Sequence, residues 1–170
     1  MVFVADHCEE CDFTYDLAHA AAAGGDIENR VADIVAIVGN GQTDLRSRPR
    51  PGVWSPLEYG CHVRDMLLVQ RERVLASRRE NGTVCAPMGR EERVEHEGYN
   101  DQEPDDVARQ LADAATLLSN VLNRLSDEDW DLTVVYNYPE KRERSLRWLA
   151  VHTVHDVQHH LHDIRRQVGP

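Results

Sequence analysis

The sequence has little of what secreted, membrane-spanning or nucleic-acid-binding proteins require. It contains no apolar run near the roughly 20 residues that span a bilayer, and no cationic start followed by an apolar signal-peptide stretch. The formal net charge is −11, and the arginines are dispersed among carboxylates. No basic face is therefore expected to neutralise phosphates. We expect a cytoplasmic protein that binds neither membranes nor nucleic acids.

Cysteines and aromatic residues are also scarce. Four cysteines are too few and too scattered for the disulfide framework of a small secreted protein: Cys8, Cys11, Cys61 and Cys85. Aromatic residues make up 6% of the chain, and the Ala, Leu and Val usage favours helices over sheets. Gly-rich phosphate loops, dinucleotide-binding fingerprints and Ser-His-Asp spacings are absent. What remains is a helical protein without a nucleotide-binding motif.

The chain length and composition predict one globular domain. A chain of 170 residues with 41% hydrophobic residues can bury a substantial core. We interpret residues 1–25 as an N-terminal extension that carries a C-x-x-C pair, and residues 26–170 as the domain. Lys141 is the sole lysine beside many arginines, which, with the alanine-rich segments, suggests a GC-rich bacterial coding sequence.

Four segments have the periodicity and the boundaries of helices. The clearest boundary is Ser55-Pro56-Leu57-Glu58, where Ser55 is the N-cap, Pro56 the first helical residue and Glu58 the third residue of a capping box. The helices are expected around 27–38, from Pro56 to about Arg79, from about Asp105 to Leu125, and from near Ser145 to Gly169-Pro170.

The segments between these helices are predicted to be mostly irregular. Residues 81 to about 104 form a long loop around Met88-Gly89-Arg90, and residues 130–139 include a short extended segment. Four helices with three connections predict an all-α protein with a four-helix bundle. Dimers formed through a helical face are a reasonable expectation.

The final helix holds five of the nine histidines, within residues 152–162. His152, His155, His159 and His162 fall on one side of the helix, roughly opposite an apolar stripe, whereas His160 projects elsewhere. His155 and His159 have the i, i+4 spacing at which two imidazoles can reach one metal ion. A solvated helix face is the alternative, because histidine is common at polar surfaces.

A metal ion held for catalysis needs a third protein ligand, and His62 is the best candidate. It lies in the second helix, away from the apolar stripe of that helix. Asp163 and Asp65 are candidates to accept the other ring N–H of a ligand. The alternatives are a hydrogen-bonded core histidine between Met66 and Val69, and ordinary surface carboxylates. The histidines without a helical partner are expected at the surface: His7, His19 and His96.

Cys8-Glu9-Glu10-Cys11 has the C-x-x-C spacing of a metal or redox site. No second C-x-x-C follows, so the sequence lacks a zinc-ribbon pattern. His7, Cys61, Cys85 or a neighbouring chain could complete a site. Free thiols and a small zinc clasp therefore both remain open.

These motifs resemble those of the DinB/YfiT-like family of bacterial four-helix proteins. The resemblance rests on Trp54-Ser55-Pro56-Leu57-Glu58, on His62-Val63-Arg64-Asp65 and on His155-Asp156-Val157-Gln158-His159, and extends from Trp54 to Arg166. It implies that His62, His155 and His159 bind a divalent metal ion, often zinc or nickel. The sequence departs from a minimal family member in Cys8 and Cys11 and in the extra histidines: His152, His160 and His162.

The resemblance also implies a function. Relatives include bacillithiol and mycothiol S-transferases and mycothiol-dependent maleylpyruvate isomerases, so we expect transfer of a mycothiol-type thiol to a small electrophile. Metal-assisted hydrolysis and a non-catalytic metal-binding module for stress response or interaction are the alternatives. No general base stands out. Four residues are candidates to line a pocket: Tyr59, Arg90, Tyr136 and Tyr138.

Overall fold

The computed structural model describes residues 7–41, 44–138 and 140–168. The described residues form five α-helices: α1 Ala23–Val38, α2 Pro56–Arg79, α3 Arg90–His96, α4 Pro104–Leu122 and α5 Leu146–Val168. They also form five short strands: β1 His7–Cys8, β2 Phe13–Thr14, β3 Thr83–Val84, β4 Thr133–Tyr136 and β5 Arg142–Ser145. Three predicted boundaries lie outside these ranges: the end of the extended segment at Pro139, the end of the last helix at Gly169-Pro170 and the first six residues of the N-terminal extension.

The four long helices form the predicted bundle. Helices α1 and α2 each pack against both α4 and α5, and all four contribute to one core. The apolar positions at spacings of three and four supply this core, with Ile34 on α1, Leu67 on α2, Leu118 on α4 and Ile164 on α5 fully buried. No helix in the described ranges is long and apolar enough to cross a membrane.

The predicted start of α2 is confirmed. The Ser55 hydroxyl accepts a hydrogen bond from the Glu58 N–H at 3.2 Å, and the Glu58 carboxylate accepts one from the Ser55 N–H at 2.8 Å. Pro56 occupies the first turn, where no intrahelical donor is needed. The Ser55 hydroxyl also donates to Asn100 at 2.8 Å, so the cap joins α2 to the segment before α4.

Replacing Ser55 with alanine is expected to lower the free energy of unfolding by about 1–2 kcal/mol. The side chain is fully buried, and its loss leaves the Glu58 N–H without its cap. Urea denaturation followed by circular dichroism measures the change. Ser47→Ala, in an exposed loop turn, is the matched control, and an equal loss in both variants would contradict the role of the cap.

Two small sheets and the short helix α3 were not predicted. Strand β3 pairs in parallel with β4, and β4 pairs with β5 in antiparallel orientation, so the extended segment predicted after residue 130 is the centre of a three-stranded sheet. Within the long predicted loop, α3 and a 3-10 turn at Tyr99–Asp101 pack against α2. These elements are two to seven residues long, and tertiary contacts rather than local periodicity determine them.

The N-terminal extension covers the side of α5 that faces away from the bundle core. Strands β1 and β2 form a hairpin whose turn includes Asp12 at φ 53°. Tyr15 then stacks on Trp148, at 6.4 Å between ring centroids, and meets Phe13 edge to face at 5.4 Å. Both sides of α5 are thus in contact with other parts of the protein, as its two distinct faces predict. That residues 1–25 are separate from the domain stays a prediction.

Candidate metal centre

Four of the five histidines of α5 divide between two neighbourhoods, whereas His162 lines a separate groove beside Asp33 and Ile37 of α1. His152, His155 and His159 face the N-terminal extension, whereas His160 faces α2. The division arises because adjacent residues on a helix point about 100° apart. Each neighbourhood brings metal-binding atom types together.

The first neighbourhood gathers Cys8, Cys11, His155 and His159. One potential ligand atom from each residue lies within 4.8 Å of those of the other three. Cys8 Sγ is 3.7 Å from His159 Nδ1. The Gln158 side-chain amide donates to the Cys11 carbonyl at 2.7 Å and so ties the hairpin turn to α5. This cluster brings together two thiols and two imidazoles.

Tyr15 contacts one imidazole of this cluster, that of His155, and also the neighbouring imidazole of His152. Its hydroxyl is 2.7 Å from His152 Nδ1 and 2.9 Å from His155 Nδ1. The Nε2 atom of His155 is buried and has no hydrogen-bond partner among the described residues. A second group of potential ligand atoms joins His152, His155 and Asp156, with the Asp156 carboxylate 3.5 Å from His152 Nε2. His155 therefore belongs to both groups.

The second neighbourhood is centred on His62. Its ring centroid lies 4.9 Å from that of His160 and 5.0 Å from that of Trp54. The side chain is buried, and Nδ1 has no hydrogen-bond partner within the described ranges. His160 Nδ1 is 3.3 Å from the Asp163 carboxylate, which leaves Nε2 of His160 as its other potential ligand atom.

The structure thus brings two of the three predicted ligands together and places the third elsewhere. His155 and His159 share one cluster, while His62 is opposed by His160. Among the described residues, His62 does not join His155 and His159 in a group of ligand atoms within 4.8 Å. That all three bind one ion is untested, and it is the alternative to the assignment of His62 that we propose below.

The other candidate residues divide between the same neighbourhoods. Tyr59 contacts His160 at 5.3 Å between ring centroids, and the Arg90 guanidinium lies 5.9 Å from the Trp54 ring and from the Tyr138 ring. Tyr136 packs against His152 instead, at 5.6 Å. Asp163 was a candidate to orient His159, but its carboxylate lies closer to His160 Nδ1, at 3.3 Å, than to His159 Nε2, at 3.9 Å. The Asp65 carboxylate accepts hydrogen bonds from Arg64 and Tyr99.

Burial changes the protonation of the site residues. It lowers the pKa of His62 to about 2 and that of His155 to about 4, so both rings are neutral at pH 7. Burial, with a hydrogen bond to Cys8, raises the pKa of the Cys11 thiol to about 12. Burial also raises the pKa of Tyr59 to about 12. Neutral imidazoles are the form that binds metal ions, whereas Cys11 must lose a proton to do so.

The lowered pKa values predict a loss of stability in acid for the metal-free protein. Unfolded His62 and His155 take up protons below about pH 6.5, whereas the folded rings stay neutral down to about 2 and about 4, so unfolding binds protons. The free energy of unfolding should fall with decreasing pH by up to about 1.4 kcal/mol per pH unit per histidine.

Urea unfolding at about pH 7 and about pH 5 tests this prediction. The His62→Leu variant lacks one of the two histidines, so its free energy of unfolding should fall less between these pH values than that of the wild type. His96→Leu, at an exposed position, should keep the wild-type dependence. Identical pH dependence in wild type and His62→Leu would contradict the prediction.

Sequence reasoning missed two features of these clusters. It named His7, Cys61 and Cys85 as partners for the C-x-x-C pair, but Cys61 contacts the Tyr99 carbonyl and the structure pairs Cys8 and Cys11 with α5. It also placed His160 away from the metal-binding side without identifying His62 as its neighbour. The combination of C-x-x-C and H-x-x-x-H spacings was the available signal for the first feature.

Comparison with known proteins agrees with the fold and with the resemblance in the sequence. No curated protein matches the sequence. A solved structure of YfiT from Bacillus subtilis, described as a probable metal-dependent hydrolase with an unusual four-helix bundle topology, superposes with a TM-score of 0.77 at 17% identity. The similarity covers 91% of this chain and 88% of that one. Because the sequence model of the DinB superfamily matches residues 28–164, the protein belongs to the DinB superfamily.

Proposed function

We propose that this protein is a divalent-metal-dependent enzyme that acts on a small electrophilic molecule, with His62 and His160 as ligands of the catalytic ion. The observation that carries the proposal is the buried, neutral His62 imidazole, whose Nδ1 has no hydrogen-bond partner in the described part of the chain. An unpaired buried polar atom costs about 1–3 kcal/mol, and a metal ion at His62 would offset that cost.

The residues around His62 fit such an ion. Imidazole nitrogen suits zinc and nickel, and the Asp163 carboxylate lies 3.3 Å from His160 Nδ1. Metal-binding histidines commonly donate their other ring N–H to a carboxylate in this way, which fixes the tautomer. Two imidazoles are fewer than the three protein ligands typical of catalytic zinc, so positions remain for substrate and solvent.

When bound, a zinc or nickel ion supplies Lewis acidity, which lowers the pKa of a thiol or a water molecule close to it. The protein contributes the surroundings. Trp54 and Tyr59 are partly buried and form an apolar wall beside His62 and His160. Arg90 is half-exposed above Trp54 and pairs with the exposed Glu91 at 3.1 Å, a partner that an anionic group of a substrate can replace. The Tyr59 phenol, with its raised pKa, stays protonated and can donate a hydrogen bond.

We favour a low-molecular-weight thiol of the mycothiol type as the nucleophile. Support comes from the resemblance of the motifs around His62 and His155 to those of the DinB/YfiT-like family, whose relatives include bacterial thiol S-transferases. In the reaction the thiol loses its proton to solvent, a sulfur–carbon bond forms, and the leaving group departs with its electron pair. Hydrolysis is the second candidate, favoured by the structural likeness to YfiT, a probable metal-dependent hydrolase.

An assay with two nucleophiles separates these candidates. Protein stripped with a chelator and reloaded with zinc or nickel is given a thiol-reactive aryl halide or an activated ester, with and without mycothiol. We expect thiol consumption that requires both metal and protein. Ester cleavage at the same rate without thiol would assign hydrolysis instead. Turnover that is equal with and without metal would contradict the proposal.

A further inference from the structure

The two thiols of the N-terminal hairpin lie against the imidazoles of His155 and His159 in α5. Some 150 residues of chain separate the thiols from these imidazoles. Potential ligand atoms of Cys8, Cys11, His155 and His159 lie within 4.8 Å of one another, a compact set of two sulfurs and two nitrogens. Pairs spaced as C-x-x-C and H-x-x-x-H are the usual ligands of structural zinc in Cys2His2 sites.

Local structure accounts for how each pair converges. The left-handed backbone at Asp12 turns the chain between β1 and β2, which brings Cys11 back beside Cys8. One helical turn separates His155 from His159, so their rings lie edge to face on the same side of α5, with centroids 5.6 Å apart. The hydrogen bond from Gln158 to the Cys11 carbonyl holds the two pairs together.

Neighbouring groups contact one nitrogen of each ring and leave the other nitrogen for a different partner. Tyr15 contacts Nδ1 of His155, and Nε2 of that ring is buried with no hydrogen-bond partner in the described ranges. Glu10 and Asp163 lie 3.6 and 3.9 Å from Nε2 of His159, whereas its Nδ1 faces Cys8. Hydrogen-bonding groups on the opposite ring nitrogens are a regular feature of metal-binding histidines.

We propose that Cys8, Cys11, His155 and His159 bind one zinc ion in a closed, tetrahedral site that fastens the N-terminal hairpin to α5. Two sulfur–zinc and two nitrogen–zinc bonds form, and the two thiol protons go to solvent. All four positions belong to the protein, so this site is structural. It is separate from the His62–His160 pair of the proposed function.

A bound ion also explains why so short a hairpin is ordered on the helix. Strands β1 and β2 pair over two residues each, and isolated two-stranded hairpins are marginally stable at best in water. Simple thiol–imidazole hydrogen bonding is the competing interpretation, but it leaves the buried Nε2 of His155 without a partner. The zinc ion satisfies that atom and supplies folding free energy to the hairpin.

Cobalt titration of the full-length protein tests the site directly. The chain is stripped of metal under reducing conditions and titrated with Co²⁺ alone at neutral pH, and Zn²⁺ is then added as competitor. We expect thiolate-to-cobalt charge-transfer absorption that corresponds to one bound ion for each molecule and disappears with zinc. Cys8→Ser and Cys11→Ser should each weaken metal binding at this site by at least about 100-fold, because each removes a sulfur that binds the ion directly.

Three comparisons make the test decisive. His7→Ala changes an exposed histidine on the same hairpin and should keep the full absorption, whereas His159→Ala should lose it. His62→Ala should also keep it, so failure of the proposed enzyme function is distinguishable from failure of this site. Far-UV circular dichroism verifies that each variant remains helical. Absent thiolate absorption, or absorption unchanged in both cysteine variants, would overturn the proposal.

Discussion

Asp65→Ala is expected to lower the free energy of unfolding by about 3–5 kcal/mol, the largest stability change that we predict for one residue. The Asp65 carboxylate is buried, accepts a hydrogen bond from Arg64 Nε at 2.7 Å, and accepts another from the Tyr99 hydroxyl at 2.6 Å. Its removal leaves the buried Arg64 guanidinium with only the more distant Glu97 carboxylate, at 3.9 Å, and leaves the fully buried Tyr99 phenol without its acceptor. A buried charge that loses its partner destabilises the folded protein more than the intact buried ion pair does.

Urea unfolding midpoints of three proteins measure this effect. Asp65→Asn keeps the shape and one acceptor, so we expect a smaller loss than with alanine. Asp106→Ala removes a carboxylate from an exposed ion pair with Arg109 and should change stability by less than about 0.5 kcal/mol. A loss below about 1 kcal/mol for Asp65→Ala would contradict a structural role for the buried network.

His62→Ala is expected to reduce metal-dependent turnover by a factor of about 100 or more. Removing a group that only hydrogen-bonds to a metal ligand already lowers metal affinity or activity about 10- to 100-fold, and His62 is proposed to bind the ion itself. The variant loses the buried imidazole that opposes His160, and a smaller side chain cannot bind the ion in its place. Turnover at saturating metal and at limiting metal separates lost affinity from lost catalysis. The metal content of the same samples is measured alongside the turnover rates.

Two matched variants serve as controls for the turnover and metal content of His62→Ala. His96→Ala removes an exposed histidine and should leave both rate and metal content unchanged. His155→Ala should keep the His62–His160 site while losing the cysteine-containing site. If His62→Ala turned over substrate like the wild type, the catalytic assignment of His62 and His160 would be wrong.

Features encoded over a few neighbouring residues were predictable from the sequence. The start of α2 is an example, because Ser55, Pro56 and Glu58 satisfy the first backbone donors whatever the rest of the chain does. The last helix and its two distinct sides were predictable for the same reason, since a helix has a fixed angular period. The bundle itself follows from four such segments.

Pairing between distant segments was beyond local reasoning. Cys8 and His159 are 151 residues apart, and no spacing rule predicts that the hairpin lies on α5 rather than beside Cys61 or Cys85. His160 could be placed off the metal-binding side of its helix, but its contact with His62 depends on how α2 and α5 pack. Strand β3 and its pairing with β4 escaped prediction because that pairing joins segments about 50 residues apart.

The excess of histidines in α5 has a simple explanation if two metal sites share the helix. His155 and His159 then complete the cysteine-containing site, and His160 extends toward His62 on the neighbouring helix face. His152 is packed against Trp148 at 4.4 Å and bonded to Tyr15, and so supports the first site without binding its ion.

The most direct test of the two-site account is anomalous diffraction at the zinc absorption edge from crystals grown with excess zinc. The account predicts two ions in each molecule, one bonded to Cys8, Cys11, His155 and His159, and one bonded to His62 and His160. A single ion shared by His62, His155 and His159, with both cysteines unbound, would contradict it.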